Sequence, residues 1–130
     1  MNIILGTIVG ASALLALSSA AYAQDAAAGE QVFKKCKVCH QIGEGARNMV
    51  GPELNGVVGR KAGTVEGYSY SDANKNSGIT WDEATLKEYL KDPRKKVPGT
   101  KMTFPGLTSE QDIENVIAYL KQFGPDGKKK

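Results

Sequence analysis

The stretch Cys36-Lys37-Val38-Cys39-His40 decides how the rest of this 130-residue sequence is interpreted. Its two thiols are three positions apart, close to one turn of a helix, so both can bond to the same flat partner. The C-x-x-C-H spacing is that of c-type haem attachment. In this chemistry the thiols add across the haem vinyl groups and the adjacent imidazole ligates the iron. We therefore predict one covalent haem c per chain, bonded to Cys36 and Cys39, with His40 as an iron ligand.

Other uses of two cysteines and one histidine fit the sequence less well. A structural zinc site usually takes four Cys or His ligands, whereas this chain has only these three. A thioredoxin-like redox pair is the main rival, but it is expected in a βαβ unit, and helical sequence precedes Cys36 instead. A catalytic pair needs facing side chains, and the neighbours Cys39 and His40 point apart. A disulfide across two residues would close too small a loop to stabilise the chain much.

A second axial ligand can come from one of three methionines. Met1 lies in the N-terminal leader described below, and Met49 is too near His40 in sequence to reach the opposite face of a haem. Met102 stands in a loop tightly turned by prolines and glycines, although core filling is the ordinary role of a lone methionine. We predict His40 and Met102 as the axial pair, a set that raises the reduction potential and leaves no open iron position.

Residues 1–23 contain no Asp, Glu, Lys or Arg and end in Ala21-Tyr22-Ala23, which fits a signal peptidase site. The alternative is a retained membrane anchor, since about 20 apolar residues can span a bilayer. The segment ends in Ser and Ala rather than in a basic cluster, which favours cleavage, although no Lys or Arg precedes it. We predict that residues 1–23 are a cleaved signal peptide and that residues 24–130 are a periplasmic domain.

The mature sequence predicts an all-α single domain. Helices are expected over residues 25–38, from a Thr80–Glu83 capping box to Pro93, and from Thr108 or Ser109 to Gly124-Pro125. Short helical turns and long glycine-rich loops fill the remainder, and the basic tail 124–130 is expected to fray. So much loop in a compact domain is unusual unless something fills its centre, and a haem would do so.

Further segments strengthen the haem interpretation, and they occur in one order along residues 25–123. Together with the C-x-x-C-H motif they resemble class I cytochrome c, in particular the cytochrome c2 subgroup, kin of mitochondrial cytochrome c. The segments are Gly51-Pro52-Glu53-Leu54-Asn55-Gly56, the run from Gly67 to Asn76, Gly78-Ile79-Thr80-Trp81, and Pro98-Gly99-Thr100-Lys101-Met102.

The resemblance implies roles for further residues around the haem. The Pro52 carbonyl would accept a hydrogen bond from the second nitrogen of His40. The haem propionates would be held by Arg60, Tyr70 and Trp81. A polar network near Met102 would consist of Asn74, Tyr89 and Thr100. Gly29 and Phe33 are expected to pack the first helix against Val116 and Tyr119, and Phe104 is expected to shield the haem edge.

The resemblance implies a monomeric, non-enzymatic carrier of single electrons between membrane complexes. These would be cytochrome bc1 and a photosynthetic reaction centre or terminal oxidase. Residues 91–101 hold five basic residues against Asp92, and Lys34, Lys35 and Lys37 flank the first attachment cysteine. We therefore expect acidic docking sites on the partners, and no nucleic acid. The alternative is a peroxidase-like haem enzyme or ligand-binding protein with a labile Met102, which fast cyanide binding would reveal.

Overall fold

The computed structural model describes residues 23–130, together with Gly6 and Gly10. The leader predicted over residues 1–23 therefore lies outside the described residues, apart from Gly6, Gly10 and Ala23. Five helices occur in the described part: α1 (Ala26–Phe33), α2 (Asp72–Lys75), α3 (Glu83–Lys91), α4 (Pro93–Lys96) and α5 (Glu110–Lys121). Extended pairing within these residues is limited to two isolated bridges, Lys61 with Thr80 and Phe123 with Lys129. The prediction of an all-α class is confirmed.

None of the described helices has both the length and the apolar character that crossing a bilayer requires. The helices pack instead around a core formed by α1, α3 and α5 and the loops between them. The inner side of α5 is almost fully buried at Ile113, Val116, Ile117 and Leu120, an apolar stripe at the i, i+3, i+4, i+7 spacing of an amphipathic helix.

The contact between α1 and α5 depends on Gly29. A Cβ atom at this position would overlap the carbonyl oxygen of Asn115 and lie 2.9 Å from Cβ of Tyr119. One turn later, the rings of Phe33 and Tyr119 are 5.1 Å apart between their centroids. The predicted packing of Gly29 and Phe33 against Tyr119 is therefore confirmed, and the missing side chain at Gly29 is what allows the two helices to approach.

Helix α1 is shorter than the predicted span of 25–38. It begins as expected after Asp25, whose carboxylate accepts the N–H of Ala28 at 3.1 Å. Beyond Phe33 the backbone tightens into turns, in which the Cys36 N–H donates to the Phe33 carbonyl at 2.8 Å. The C-x-x-C-H motif therefore lies on a turn that follows α1, rather than within the helix.

The predicted Thr80 cap of α3 is wrong, because Asp82 takes this role. The Asp82 carboxylate accepts the N–H of Thr85 at 2.7 Å, and the helix begins at Glu83. Thr80 is held in extended backbone by its bridge to Lys61. Helix α3 ends before Pro93 as predicted, but the chain then starts the short α4, with Pro93 as its first residue. Proline suits this position, since a first-turn N–H has no helical partner.

The C-terminal tail, predicted to fray, folds back on the domain in the structure. The Gly124 N–H donates to the Lys128 carbonyl at 3.0 Å, and the Lys130 N–H donates to the Gln122 carbonyl at 2.8 Å. Gly127 has a φ of 80° and lies directly against the carbonyl of Gly43. Only glycine adopts that conformation readily and leaves room for so close an approach.

Replacing Asp82 with Ala should destabilise the domain, because the Thr85 N–H loses its acceptor. The same hydrogen bond is the main cause that holds the pKa of Asp82 below its usual value. A carboxyl with a depressed pKa stabilises the fold above its unfolded pKa and loses this contribution as the pH falls through its folded pKa. The loss in urea midpoint should therefore be complete at neutral pH and should shrink below roughly pH 4.

Thr80→Ala is the matched control for Asp82→Ala. Its hydroxyl makes no hydrogen bond to a described residue, so the urea midpoint should stay close to that of the parent at both pH values. A larger loss for Thr80→Ala than for Asp82→Ala would show that α3 is capped where the sequence pattern places it, and not at Asp82.

Candidate functional site

One apolar cavity of about 450 Å³ lies between α1, α3, α5 and the loops that connect them. Helix α1 contributes Phe33, α3 contributes Leu86 and Leu90, and α5 contributes Val116 and Leu120. The structure brings every predicted site residue to this cavity: Cys36, Cys39, His40, Pro52, Arg60, Tyr70, Asn74, Trp81, Tyr89, Thr100 and Met102. The rejected candidate Met49 does not line the cavity and is 56% exposed.

Cys36 and Cys39 lie on the turn after α1 and are not joined to each other. Burial is the main cause that raises the pKa of Cys36 to about 11, and the neighbouring Cys39 raises it further. Reactive redox cysteines have lowered pKa values, which keep a fraction of thiolate at neutral pH. The raised pKa of Cys36 therefore argues against the thioredoxin-like alternative, while two thiols beside an apolar cavity suit attachment to an apolar group.

The imidazole of His40 is fixed by a hydrogen bond between its Nδ1 and the Pro52 carbonyl, at 2.7 Å. A carbonyl can only accept, so Nδ1 carries the proton and Nε2 keeps a free lone pair. Burial lowers the pKa of His40, so the ring is neutral at neutral pH. Gly51 lies against the ring, where a Cβ atom would overlap Cε1. This arrangement of a fixed, neutral imidazole is the usual way in which proteins orient a metal ligand.

The sulfur of Met102 belongs to a small polar network. The Tyr89 hydroxyl donates to Sδ of Met102 at 3.3 Å and lies 3.3 Å from Oγ1 of Thr100. The Met102 N–H also points to Oγ1 of Thr100, at 3.3 Å. Burial raises the pKa of Tyr89, so its hydroxyl remains a neutral donor. The network fixes the sulfur while leaving a lone pair free to bind a metal.

Asn74 was expected in the same network, but its side chain makes no hydrogen bond to Tyr89, Thr100 or Met102. Its Oδ1 is buried and has no partner among the described residues. A buried amide oxygen without a donor is costly, and in native proteins it usually indicates a ligand or water. Because Asn74 lines the cavity, this oxygen fits a cavity that holds a group from outside the chain.

Arg60, Tyr70 and Trp81 form one polar end of the cavity. Nη1 of Arg60 donates to the carbonyls of Glu53 and Asn55, both at 3.1 Å, and lies 3.7 Å from the Glu53 carboxylate. The Tyr70 hydroxyl accepts the Val65 N–H at 3.0 Å. The remaining guanidinium, phenol and indole hydrogens are available to acidic groups that enter the cavity.

Two residues that the sequence did not predict as site residues also line the cavity. Tyr68 and Lys101 both line it, and the Lys101 ammonium lies 4.6 Å from the centre of the Tyr68 ring. They are 33 positions apart, so no local pattern could have paired them. Gly51 belongs to a family motif, but its role as the surface behind His40 depends on a tertiary contact.

The comparisons with known proteins agree with this geometry. The family model described as cytochrome c matches residues 26–124. The chain belongs to the cytochrome c family. It is 59% identical to cytochrome c2 of Blastochloris viridis, over 95% of this chain and 97% of that protein. It is 66% identical to cytochrome c2 of Rhodoblastus acidophilus, over 82% and 100%.

A solved structure shows the same fold. Cytochrome cH from Methylobacterium extorquens superposes with a TM-score of 0.70 and is 57% identical, over 75% of this chain and 97% of that one. The predictions of a class I cytochrome c fold and of the cytochrome c2 subgroup are confirmed. Membership of this family means one covalently bound haem c and a function as an electron carrier. The apolar cavity, its paired thiols and the unpartnered Asn74 oxygen fit this cofactor.

Tyr89→Phe should lower the stability of the haem-loaded protein by about 1 kcal/mol, because it removes the hydroxyl shared by Met102 and Thr100. Tyr89→Leu should cost more, roughly 2 kcal/mol, because the ring packed 4.7 Å from Trp81 is lost as well. Urea unfolding of both variants gives the comparison. No loss in Tyr89→Phe would mean that the hydroxyl contributes nothing to stability, and equal losses in the two variants would mean that the ring contact with Trp81 contributes nothing.

Proposed function

We propose that this chain is a periplasmic, monomeric carrier with a haem ligated by His40 and Met102, which accepts and delivers single electrons without other chemistry. The bound haem supplies a reversible one-electron couple. In this proposal residues 1–23 are removed on export. The observation that carries it is the convergence of a fixed His40 imidazole and a hydrogen-bonded Met102 sulfur on one apolar cavity.

The roles of the other cavity residues follow from their contacts. Cys36 and Cys39 would hold the haem covalently, and Pro52 would keep His40 oriented. Arg60, Tyr70 and Trp81 would hold the haem propionates, while Tyr89 and Thr100 would position Met102 and Asn74 would offer its oxygen to the same region. If His40 and Met102 both hold the iron, no position would be left for oxygen or a substrate, which favours electron transfer over a peroxidase-like activity.

The positively charged surface supports docking to acidic partners, although ion pairs within the chain reduce the number of unpaired basic residues. Lys91 is paired with Glu110 at 3.2 Å and Lys96 with Glu88 at 2.6 Å, which reduces the cluster at residues 91–101. Six other basic residues near the motif and the Met102 loop pair with no acidic side chain in the described part of the chain: Lys34, Lys35, Lys37, Arg94, Lys95 and Lys101.

Two exposed apolar side chains lie at the mouth of the cavity beside these charges. Val38 is 78% exposed and Val50 is 71% exposed, and both line the cavity. An apolar contact area with positive charges around it suits a transient partner, because charge speeds the encounter while few contacts need to break on release. We propose cytochrome bc1 as the electron donor complex and a reaction centre or terminal oxidase as the acceptor.

Met102→Ala should lower the reduction potential, abolish the long-wavelength absorption band of a methionine–iron bond and allow rapid cyanide binding. Met49→Ala is the matched control, because Met49 is exposed and outside the cavity. It should leave potential, band and cyanide binding unchanged. Rapid cyanide binding by the unsubstituted protein would instead support the peroxidase-like or ligand-binding alternative.

Reversing the charges of Lys35 and Lys37 to Glu should slow electron transfer with a purified bacterial cytochrome bc1 complex by roughly tenfold or more at low salt. It should also flatten the dependence of the rate on ionic strength. The control is the double reversal of Lys128 and Lys130 in the tail, which changes the net charge equally and should have a much smaller effect. An equal fall in rate in both variants would exclude docking at the motif. A parent rate that does not change with ionic strength would exclude it as well.

A further inference from the structure

Asn55 and Gly56 form the only Asn-Gly dipeptide in the sequence. An asparagine before glycine is prone to deamidation, because glycine has no side chain to shield its backbone nitrogen. The Gly56 nitrogen bonds to Cγ of Asn55, the bond from Cγ to Nδ2 breaks, and Nδ2 leaves as ammonia with the proton that the Gly56 nitrogen gives up. Water then opens the cyclic imide to give aspartate or isoaspartate. The reaction needs no reagent other than water.

Both reacting groups are held apart by hydrogen bonds in the structure. The Asn55 side chain pairs with the backbone of Gly43, because its Oδ1 accepts the Gly43 N–H at 2.8 Å and its Nδ2 donates to the Gly43 carbonyl at 2.9 Å. We call these two hydrogen bonds the Asn55 clamp. The Gly56 N–H donates to the carbonyl of Phe123 at 3.3 Å. Cγ of Asn55 can therefore reach the Gly56 nitrogen only after the clamp opens.

The C-terminal tail, residues 124–130, packs on both sides of this reactive pair. Gly127 lies directly against the carbonyl of Gly43, the same carbonyl that accepts from Asn55. Pro125 lies against Gly56, where an added Cβ atom would be 3.0 Å from Cγ of the proline ring. The clamp is thus covered by a segment that is remote in sequence, and opening of the tail exposes it.

We propose that Asn55 is a deamidation site protected by the tail, so that the modification accumulates only in molecules whose tail has opened. Either product replaces the amide with a carboxylate, and the Gly43 carbonyl then loses its donor. The new negative charge also lies close to Glu53, whose carboxylate accepts the Asn55 N–H at 2.6 Å. Repulsion between the two carboxylates and the missing donor both oppose reclosing of the clamp. A transient opening of the tail would thereby become permanent.

The Asn76-Ser77 dipeptide provides an internal reference for the reaction. Asn76 is exposed, and its side chain makes no hydrogen bond to a described residue. Without structure, Asn-Gly deamidates faster than Asn-Ser, because the serine side chain hinders attack by its nitrogen. Folding should reverse this order, since two hydrogen bonds of the clamp must break before Asn55 reacts, which slows it by roughly tenfold or more.

Peptide mapping by mass spectrometry measures both rates in the haem-loaded mature protein, incubated at mildly alkaline pH with and without urea. In urea, Asn55 should deamidate faster than Asn76. In native buffer, Asn76 should deamidate faster than Asn55. An Asn55 rate that is the same with and without urea would overturn the protection.

Gly127→Ala tests whether the tail provides the protection. Gly127 has a φ of 80°, and an added Cβ atom would overlap the Gly43 carbonyl, so the variant should open the tail and raise the Asn55 rate by roughly fivefold or more. Gly67→Ala is the matched control, with a φ of 78° and only an ordinary contact, to Nδ2 of Asn48 at 3.8 Å. Equal acceleration in both variants would mean that Asn55 reacts through global unfolding, which would overturn the role of the tail.

Asn55→Asp tests the consequence of the modification, because it carries one of the two products from the start. Its urea midpoint should fall below that of the parent, since the Gly43 carbonyl loses its donor. Asn76→Asp adds the same charge at an exposed position and should leave the midpoint nearly unchanged. Equal midpoints for the two variants would overturn the claim that deamidation keeps the clamp open.

Discussion

The apolar cavity between α1, α3, α5 and the Met102 loop is the constraint on which the rest of the structure depends. At about 450 Å³ it is far larger than the few small voids that close-packed protein interiors contain. The residues around it, such as Leu86 and Leu120, complete a core only when a large apolar group is present. In the proposed function the covalent haem of this family would complete that core, and the long loops would pack around it.

Around that apolar core, the main polar groups are held by defined partners. Pro52 accepts from His40, which fixes the tautomer that leaves Nε2 free, and Tyr89 donates to Met102. Arg60 is held by two backbone carbonyls close to Glu53. The exception is Oδ1 of Asn74, which is unpartnered within the described chain and lies at the cavity. Rigid groups of this kind suit an electron carrier, because little has to reorganise when the charge on the iron changes.

The parts of this fold that could be read from sequence are those that local patterns encode. The C-x-x-C-H motif, the Ser109 cap and the apolar stripe of α5 depend on residues within one or two helical turns. The cap of α3 could not be read in the same way, because Thr80 and Asp82 are both good capping residues. The choice between them is made by the bridge from Thr80 to Lys61, 19 positions away. The packed tail depends on an equally remote contact, between Gly127 and Gly43.

The site shows the same division between local and long-range information. Its residues could be predicted from family motifs, and the structure brings them together at one cavity, but their individual contacts could not be predicted. Asn74 reaches the cavity without joining the Tyr89 network, and the pairing of Tyr68 with Lys101 joins two separate loops. Ion pairs change the surface charge as well, since Lys91 pairs with Glu110 and Lys96 pairs with Glu88, and both glutamates lie outside residues 91–101.

The central claim is that both sulfurs of the C-x-x-C-H motif are bonded to a haem whose iron is bound by the adjacent imidazole. Intact-protein mass spectrometry of the purified mature chain, combined with thiol titration under denaturing conditions, tests it most directly. The account predicts the mass of the polypeptide plus one haem, retained after denaturation, with no titratable thiol at Cys36 or Cys39. A chain with the bare polypeptide mass, and with these sulfurs free or joined to each other, would contradict it.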